Sequence, residues 1–348
     1  MNIGPRKLKI LEAIVDSYIA TGEPVSSKFL CENLGLSVSS STIRSDMADL
    51  TRIGLLEQPY TSSGRIPSHA GYRLYIEKLM EDGITKKEPI ENERYLSEPI
   101  LSFKARNLED VLRNTLSVLA EITKCIAVSA TPLKNTSTIK GIRLIFVKSK
   151  VTMIVLVTSI GVVKNRLVLC NVDCGKGVLD FFQKILQEKL ENLEIYKLNS
   201  DLINTLKEDF FEISPILPKF FTVIIELAKE ASKANINLSG ENNLFFCPDI
   251  DQESALNLVN FFNSPNDSMV DFLKNNCNDE ITVLVGEENG ICKSSKLSVI
   301  ISHYDFLHQD MAAIALIGPT RMNYAKLIPI IKYLTSILSG FLNKNFGN

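Results

Sequence analysis

Near the start of the chain, three blocks of apolar residues recur at three- and four-residue steps, and each block stops at a glycine. That pattern limits the first eighty residues to a small set of helical arrangements. Leu8, Leu11, Ile14, Val15 and Tyr18 form one stripe, as on an amphipathic helix packed against a core. The stripe closes at Thr21-Gly22-Glu23-Pro24, where Gly22 can take a left-handed cap and Pro24 blocks continuation. Ser26 is a suitable N-cap for a short second helix over Ser27 to Leu34, burying Phe29, Leu30 and Leu34 and stopping at Gly35. After Gly35-Leu36-Ser37-Val38, either Ser39 or Ser40 can cap a third helix running to about Arg52. Its buried side would carry Ile43, Met47, Leu50 and Ile53, with Gly54 as the stop.

Two helices joined by a short turn containing glycine predict a helix-turn-helix. Leu55-Leu56-Glu57-Gln58 is a strand candidate, and Thr61-Ser62-Ser63-Gly64-Arg65-Ile66 is turn-forming. Together they predict a β-hairpin wing with Arg65 at its tip, so residues 1–80 read as a winged helix-turn-helix DNA-binding domain. The candidate DNA-contacting residues are Ser40, Ser41, Thr42, Arg44, Ser45 and Arg52 on the third helix, with Ser63 and Arg65 on the wing. Small hydroxyls at a helix N-terminus let the backbone approach phosphate closely. Arg44 can pair bidentately with a guanine edge, and Arg65 suits a phosphate or minor-groove contact. Charge gives no help. Residues 1–80 hold nine Lys/Arg against eight Asp/Glu, and the whole chain carries −2, unlike the basic footprint of many nucleic-acid binders. A three-helix protein-binding module with a solvated polar face is the alternative.

Several segments resemble the HrcA heat-shock repressors. They are Gly22-Glu23-Pro24-Val25, Val38 to Met47, and Gly54 to Pro67 running on to Gly71-Tyr72-Arg73-Leu74-Tyr75. The likeness continues at Gly286-Glu287-Glu288-Asn289 and at Ile317-Gly318-Pro319-Thr320-Arg321-Met322-Asn323-Tyr324. It departs at Ser45, where family members usually carry Asn, and at Tyr60, where they often carry His. The resemblance implies a homodimer on double-stranded DNA at an inverted-repeat operator of the CIRCE type, ahead of chaperone genes. It also implies a chaperonin that keeps the repressor active, a GAF-like α/β domain, and an inserted helical-rich domain that forms the dimer contact.

The remainder of the chain changes texture. A polar connector over 81–100 precedes a helix around Leu108 to Lys124. Strand-like runs follow at Cys125–Ala130, Ile142–Val147, Val151–Val157 and Val162–Leu169, the last three suiting an antiparallel meander. The pattern is helical from Val178 to Lys233, and strands return at Ile281–Val285, Lys296–Ile301 and Ala313–Ile317 before a final helix over Tyr324 to Leu342. This predicts an α+β multidomain protein with the GAF-like domain in two pieces, 101–170 and 275–348, around an insertion at 171–274. Gly286 to Gly290 reads as a surface turn, and Arg321 as a structural partner for a carboxylate.

Other functions find little support. Seven scattered cysteines, of which only Cys170 and Cys174 lie close, complete no metal site, and reduced thiols in a cytoplasmic protein fit best. Neither a signal peptide nor an uninterrupted membrane span is expected. With three histidines (His69, His303, His308) in no recognisable catalytic spacing, no enzyme and no cofactor are predicted. Two competing readings remain: a regulator whose GAF-like domain binds a small effector, and an enzyme fused to a helix-turn-helix.

Overall fold

A computed structural model describes residues 3–33, 38–60, 63–81, 108–131, 137–171, 173–198, 202, 204, 217–232, 235–262, 266–276, 279–290, 296–306 and 310–346. Apart from Glu81, the predicted connector lies outside the described residues, as do Leu34 to Ser37, Thr61, Ser62, Cys277, Cys292 and His308.

The chain opens with helices α1 (Pro5–Thr21), α2 (Ser27–Asn33) and α3 (Ser40–Arg52), the short strands β1 (Leu56–Glu57) and β2 (Ile66–Pro67), and helix α4 (His69–Glu81). The predicted stops act as expected. Gly22 adopts φ +73° and its N–H returns to the Tyr18 carbonyl at 2.8 Å. Ser26 Oγ accepts from the Phe29 N–H at 3.2 Å. Of the two possible caps for α3, Ser39 is used, accepting from the Thr42 N–H at 3.3 Å. Two expected core residues are exposed instead. Phe29 lies one residue before the buried Leu30 and so points away from the core, while Ile53 stands past the last turn of α3.

The rest comprises α5 (Leu108–Thr123), β3 (Ile126–Thr131), β4 (Ile139–Lys148), β5 (Val151–Thr158), β6 (Val163–Leu169), α6 (Lys176–Leu190) and α7 (Leu217–Ser232). Then come β7 (Asn235–Ser239), α8 (Gln252–Phe262), α9 (Asn266–Asn275), β8 (Ile281–Val285), β9 (Leu297–Phe306), β10 (Asp310–Pro319) and α10 (Tyr324–Phe346). An antiparallel five-stranded sheet has the order β7-β3-β10-β9-β8. Alternation along its strands feeds two cores. Ala127, Ile300, Ile314 and Leu316 join α5, α10 and the N-terminal helices in one continuous cluster. On the opposite face Val128, Val299, Ile301 and Ala315 meet Leu258 of α8 and Met269, Val270 and Leu273 of α9. α10 is long and apolar enough to cross a membrane by length and composition. In this fold Leu327, Ile331, Leu334, Leu338 and Leu342 are buried in the sheet core.

Strands β4, β5 and β6 form the expected meander as a separate three-stranded sheet. Its inner face packs Ile142, Ile154, Leu156 and Val168 on Phe182 and Leu186 of α6 and Phe220 and Ile224 of α7. The predicted division at 170/171 is therefore corrected. The strands at 139–169, expected in the outer unit with 275–348, share a core with helices at 176–232. Conversely β7, α8 and α9, expected within the 171–274 insertion, belong to the five-stranded sheet, where Ala127 pairs with Ser239 and Val128 with Leu238. Alternation identifies a strand but not the neighbour it bonds, so texture alone cannot divide two consecutive runs of strands.

The five described cysteines, Cys31, Cys125, Cys170, Cys174 and Cys247, are free thiols. Burial pushes Cys125 up to about 12, which leaves it protonated and unreactive near neutral pH.

Candidate nucleic-acid interface

α3 is fastened to α1 by its own acidic residues. Arg6 donates to both oxygens of the buried Asp46, at 2.7 and 3.0 Å. Lys7 Nζ lies 2.7 Å from Asp49, which also receives Arg52 Nη2 at 2.6 Å. These pairs neutralise the carboxylates nearest the helix surface, so low net charge does not leave the exposed face acidic. The hydrogen bond from Lys7, followed by its charge, holds Asp49 below the usual carboxylate range. A carboxylate with a depressed folded-state pKa stabilises the fold fully above about 4, its unfolded value, and loses that contribution as pH falls through the folded value. The gap in melting temperature between wild type and Lys7→Gln should therefore be widest near pH 7 and shrink in acid. A gap independent of pH would remove Asp49 from the account.

With Ile43, Met47 and Leu50 inward, the exposed stripe is Ser41, Arg44, Ser45, Ala48 and Arg52. Four of the predicted residues thus share one face. Ala48 between them keeps the middle of the stripe low. Thr42 and Ser40 are half-buried. Thr42 Oγ1 lies 3.0 Å from the capping Ser39 Oγ, which also meets Ser41 Oγ at 2.7 Å. Ser40 Oγ donates to Ser27 Oγ at 3.2 Å and so ties α3 to α2. Apart from the Thr42 N–H, which the Ser39 hydroxyl caps, the first-turn N–H groups of a helix have no backbone acceptor within it.

The hairpin docks through three contacts. Val25 and Arg65 exchange backbone hydrogen bonds of 2.9 Å each way, bringing the segment after α1 alongside β2. Gly64 permits that approach, because a Cβ there would overlap the Val25 carbonyl. Gly64→Ala should cost about 1–3 kcal/mol through this overlap, read as a lower denaturation midpoint; a neutral effect would mean the hairpin can shift freely. Third, Arg65 Nε donates to Thr51 Oγ1 at 3.0 Å. Arg65 is accordingly half-buried at the base of the hairpin, not at its tip as the sequence suggested. Ser63 uses its hydroxyl within the turn, donating to the Tyr60 carbonyl at 2.7 Å and accepting from the Tyr60 N–H at 3.0 Å. The side chain displayed at this turn is Tyr60, 75 % exposed. Sequence reasoning did not select it, although a bulky aromatic beside a predicted wing turn was a usable signal.

Comparison with known proteins places this geometry in a family. The HrcA protein C-terminal domain matches residues 109–328. The heat-inducible transcription repressor HrcA of Clostridium botulinum (strain Eklund 17B / Type B) is 36% identical over 346 residues, covering 99% of each chain. The chain belongs to the HrcA family of heat-inducible transcription repressors. The HrcA of Clostridium acetobutylicum is 32% identical, again over 99% of both chains. A crystal structure of a hypothetical protein at 2.2 Å resolution superposes with TM-score 0.71 at 23% identity, with 99% of each chain covered, and so shares the fold.

The segments that carry the HrcA resemblance meet in space. Tyr72 of α4 packs edge-on against Tyr324 at the start of α10, ring centroids 6.1 Å apart. Arg73 forms an ion pair with Glu288 and donates to the Val283 carbonyl at 3.0 Å. Arg321 donates to Asp249 at 2.7 Å, as a structural arginine should, and also to the Ile19 carbonyl in α1 at 3.3 Å. Gly286 to Asn289 is a 3-10 turn after β8, with Glu287 and Glu288 exposed as a surface turn requires, while Gly286 and Asn289 are buried. A Cβ on Gly286 would strike the His69 ring.

Proposed function

We propose that this chain represses heat-shock genes by binding an inverted-repeat operator of the CIRCE type as a homodimer, with residues 3–81 acting as a winged helix-turn-helix. The observation that carries the reading is the exposed Ser41, Arg44, Ser45, Ala48, Arg52 stripe, which runs the length of a helix whose acidic residues are already paired. Such a face can enter the major groove while the helix start meets phosphate. Tyr60 and Arg65 sit on the hairpin beside it. Arg65→Ala should weaken binding to all sequences and flatten the salt dependence. An unchanged salt slope would restrict Arg65 to bracing the hairpin on Thr51.

The five-stranded sheet with its flanking helices stands as the GAF-like unit, and residues 137–232 as the inserted dimerisation unit. Support for the second lies in the outer face of the meander. Ile145, Met153 and Leu167 align across three strands, and Val157 aligns with Val163. Ile145, Val163, Leu167 and Leu169 are 47–69 % exposed. The row between these two holds Val155 flanked by Arg143 and Asn165, and a largely apolar sheet face of this kind fits burial against a second copy. A two-fold dimer presents two copies of α3 to two half-sites, which an inverted repeat supplies. In this reading a chaperonin restores the active dimer after heat. Operator affinity after a heat step should then recover with chaperonin and stay low without it; full unaided recovery would count against that partner.

A further inference from the structure

The half-site geometry requires something that holds α3 at a fixed angle to the rest of the chain. α3 itself leans on α1, α2 and β1. The N-terminal unit meets the five-stranded sheet and the segments joined to it through α1 and α4, at two polar contacts on separate elements. At one, Arg321 follows β10 and directs its planar fork in two directions, Nε to Asp249 ahead of α8 and Nη1 to the Ile19 carbonyl in the last turn of α1. Its guanidinium lies against Gly22, where the missing side chain leaves room for it. A cation at a helix C-terminus is favoured by the unpaired carbonyls there, and a guanidinium can hold two acceptors at fixed angles where an ammonium cannot. At the other, Arg73 of α4 reaches Glu288 and the Val283 carbonyl of β8. Between them the Tyr72 and Tyr324 rings are both buried. Two polar ties on separate elements, with an aromatic contact between, resist rotation as well as separation.

We infer that Arg321 and Arg73 are positioning residues that lock the DNA-binding unit onto the sheet and thereby set the half-site spacing the dimer accepts. This rests on the proposed two-site reading. Arg321 touches no DNA in it, and neither does Arg73, so their loss should alter geometry rather than local contacts with DNA.

The test uses full-length wild type, Arg321→Lys and Arg73→Met, the last replacing a partly exposed pair with a side chain that retains the apolar stem. Affinities are measured for a half-site duplex and for inverted repeats whose spacer is native or about 5 bp longer, a change of half a helical turn. Wild type should lose roughly tenfold or more on the longer spacer as one half-site rotates away. Both variants should lose less than about threefold, with half-site affinity kept. A spacer penalty equal to wild type in both variants, or half-site affinity falling in parallel, would overturn the inference. A DNA-free readout separates this from the function itself: the distance distribution between labels introduced as unnatural amino acids at Lys28 and Glu253. It should be narrow in wild type and broader in both variants, and equal widths would also overturn the lock. If wild type showed no preference for inverted repeats, the operator reading would fail while the label distances still judged the joint.

Discussion

Arg44→Ala is expected to remove about 1–3 kcal/mol of discrimination between operator and random DNA, which is roughly fivefold to 150-fold in affinity ratio. Arg44 is the only long side chain in the first two turns of α3 that is exposed on the same face as Ser41 and Ser45. The other cation on that face, Arg52, is a further two turns along and already bound to Asp49 at 2.6 Å. Loss of Arg44 should therefore affect sequence reading more than general attraction to phosphate. Competition gel shifts at fixed salt separate the two. A variant that keeps the wild-type ratio while losing affinity for every duplex equally would make Arg44 a phosphate contact. Thermal unfolding should be unchanged, since the side chain is exposed and supports no core contact.

Leu167→Glu should have the second large effect. It places a charge on the outer meander face, on the edge strand β6, opposite Met153 in register and two strands away from Ile145. If that face is buried against a second copy, the charge is forced into an apolar contact with no partner and the dimer dissociates. Because two linked half-site contacts gain affinity from their tether, losing one reduces binding to the inverted repeat by about 10²-fold or more. Sedimentation would read the change in mass directly. The fold should persist, because residue 167 is 58 % exposed and the inner core of Ile154, Val168, Phe182 and Phe220 is untouched. A dimer of normal mass would move the interface elsewhere.

Local chemistry was the legible part of this protein. Caps at Ser26, Ser39, Gly22 and Gly54 marked helix ends within a residue or two, because each works through its immediate neighbours. The three meander strands and β8 were equally plain from alternation. What stayed hidden depends on partners distant in the chain. β7, a short run containing Asn235 and Asn237, was not singled out as a strand, and its pairing with β3 is what defines it. Arg321 meets Ile19 across 302 positions, and Arg73 meets Glu288 across 215. The role of Asp46 was invisible too. A carboxylate on α3 would read as a surface charge, yet it is buried and paired with a half-exposed Arg6 from forty residues earlier. Of the candidate site, the exposed stripe on α3 was readable from helical spacing. The positions of Arg65 and Ser63 were not, since a two-residue strand gives too little pattern to distinguish the tip of a hairpin from its base.

Two surfaces must act together for this account to hold, the stripe on α3 and the apolar face on the meander, joined by a seam that fixes their relation. The most direct measurement compares wild-type affinity for an inverted-repeat duplex and for a matched half-site duplex at one salt concentration, with the mass of each complex. The expected result is at least about a hundredfold preference for the inverted repeat, with two chains on each duplex. Equal affinity for the two duplexes, or a single chain on the full repeat, would contradict it.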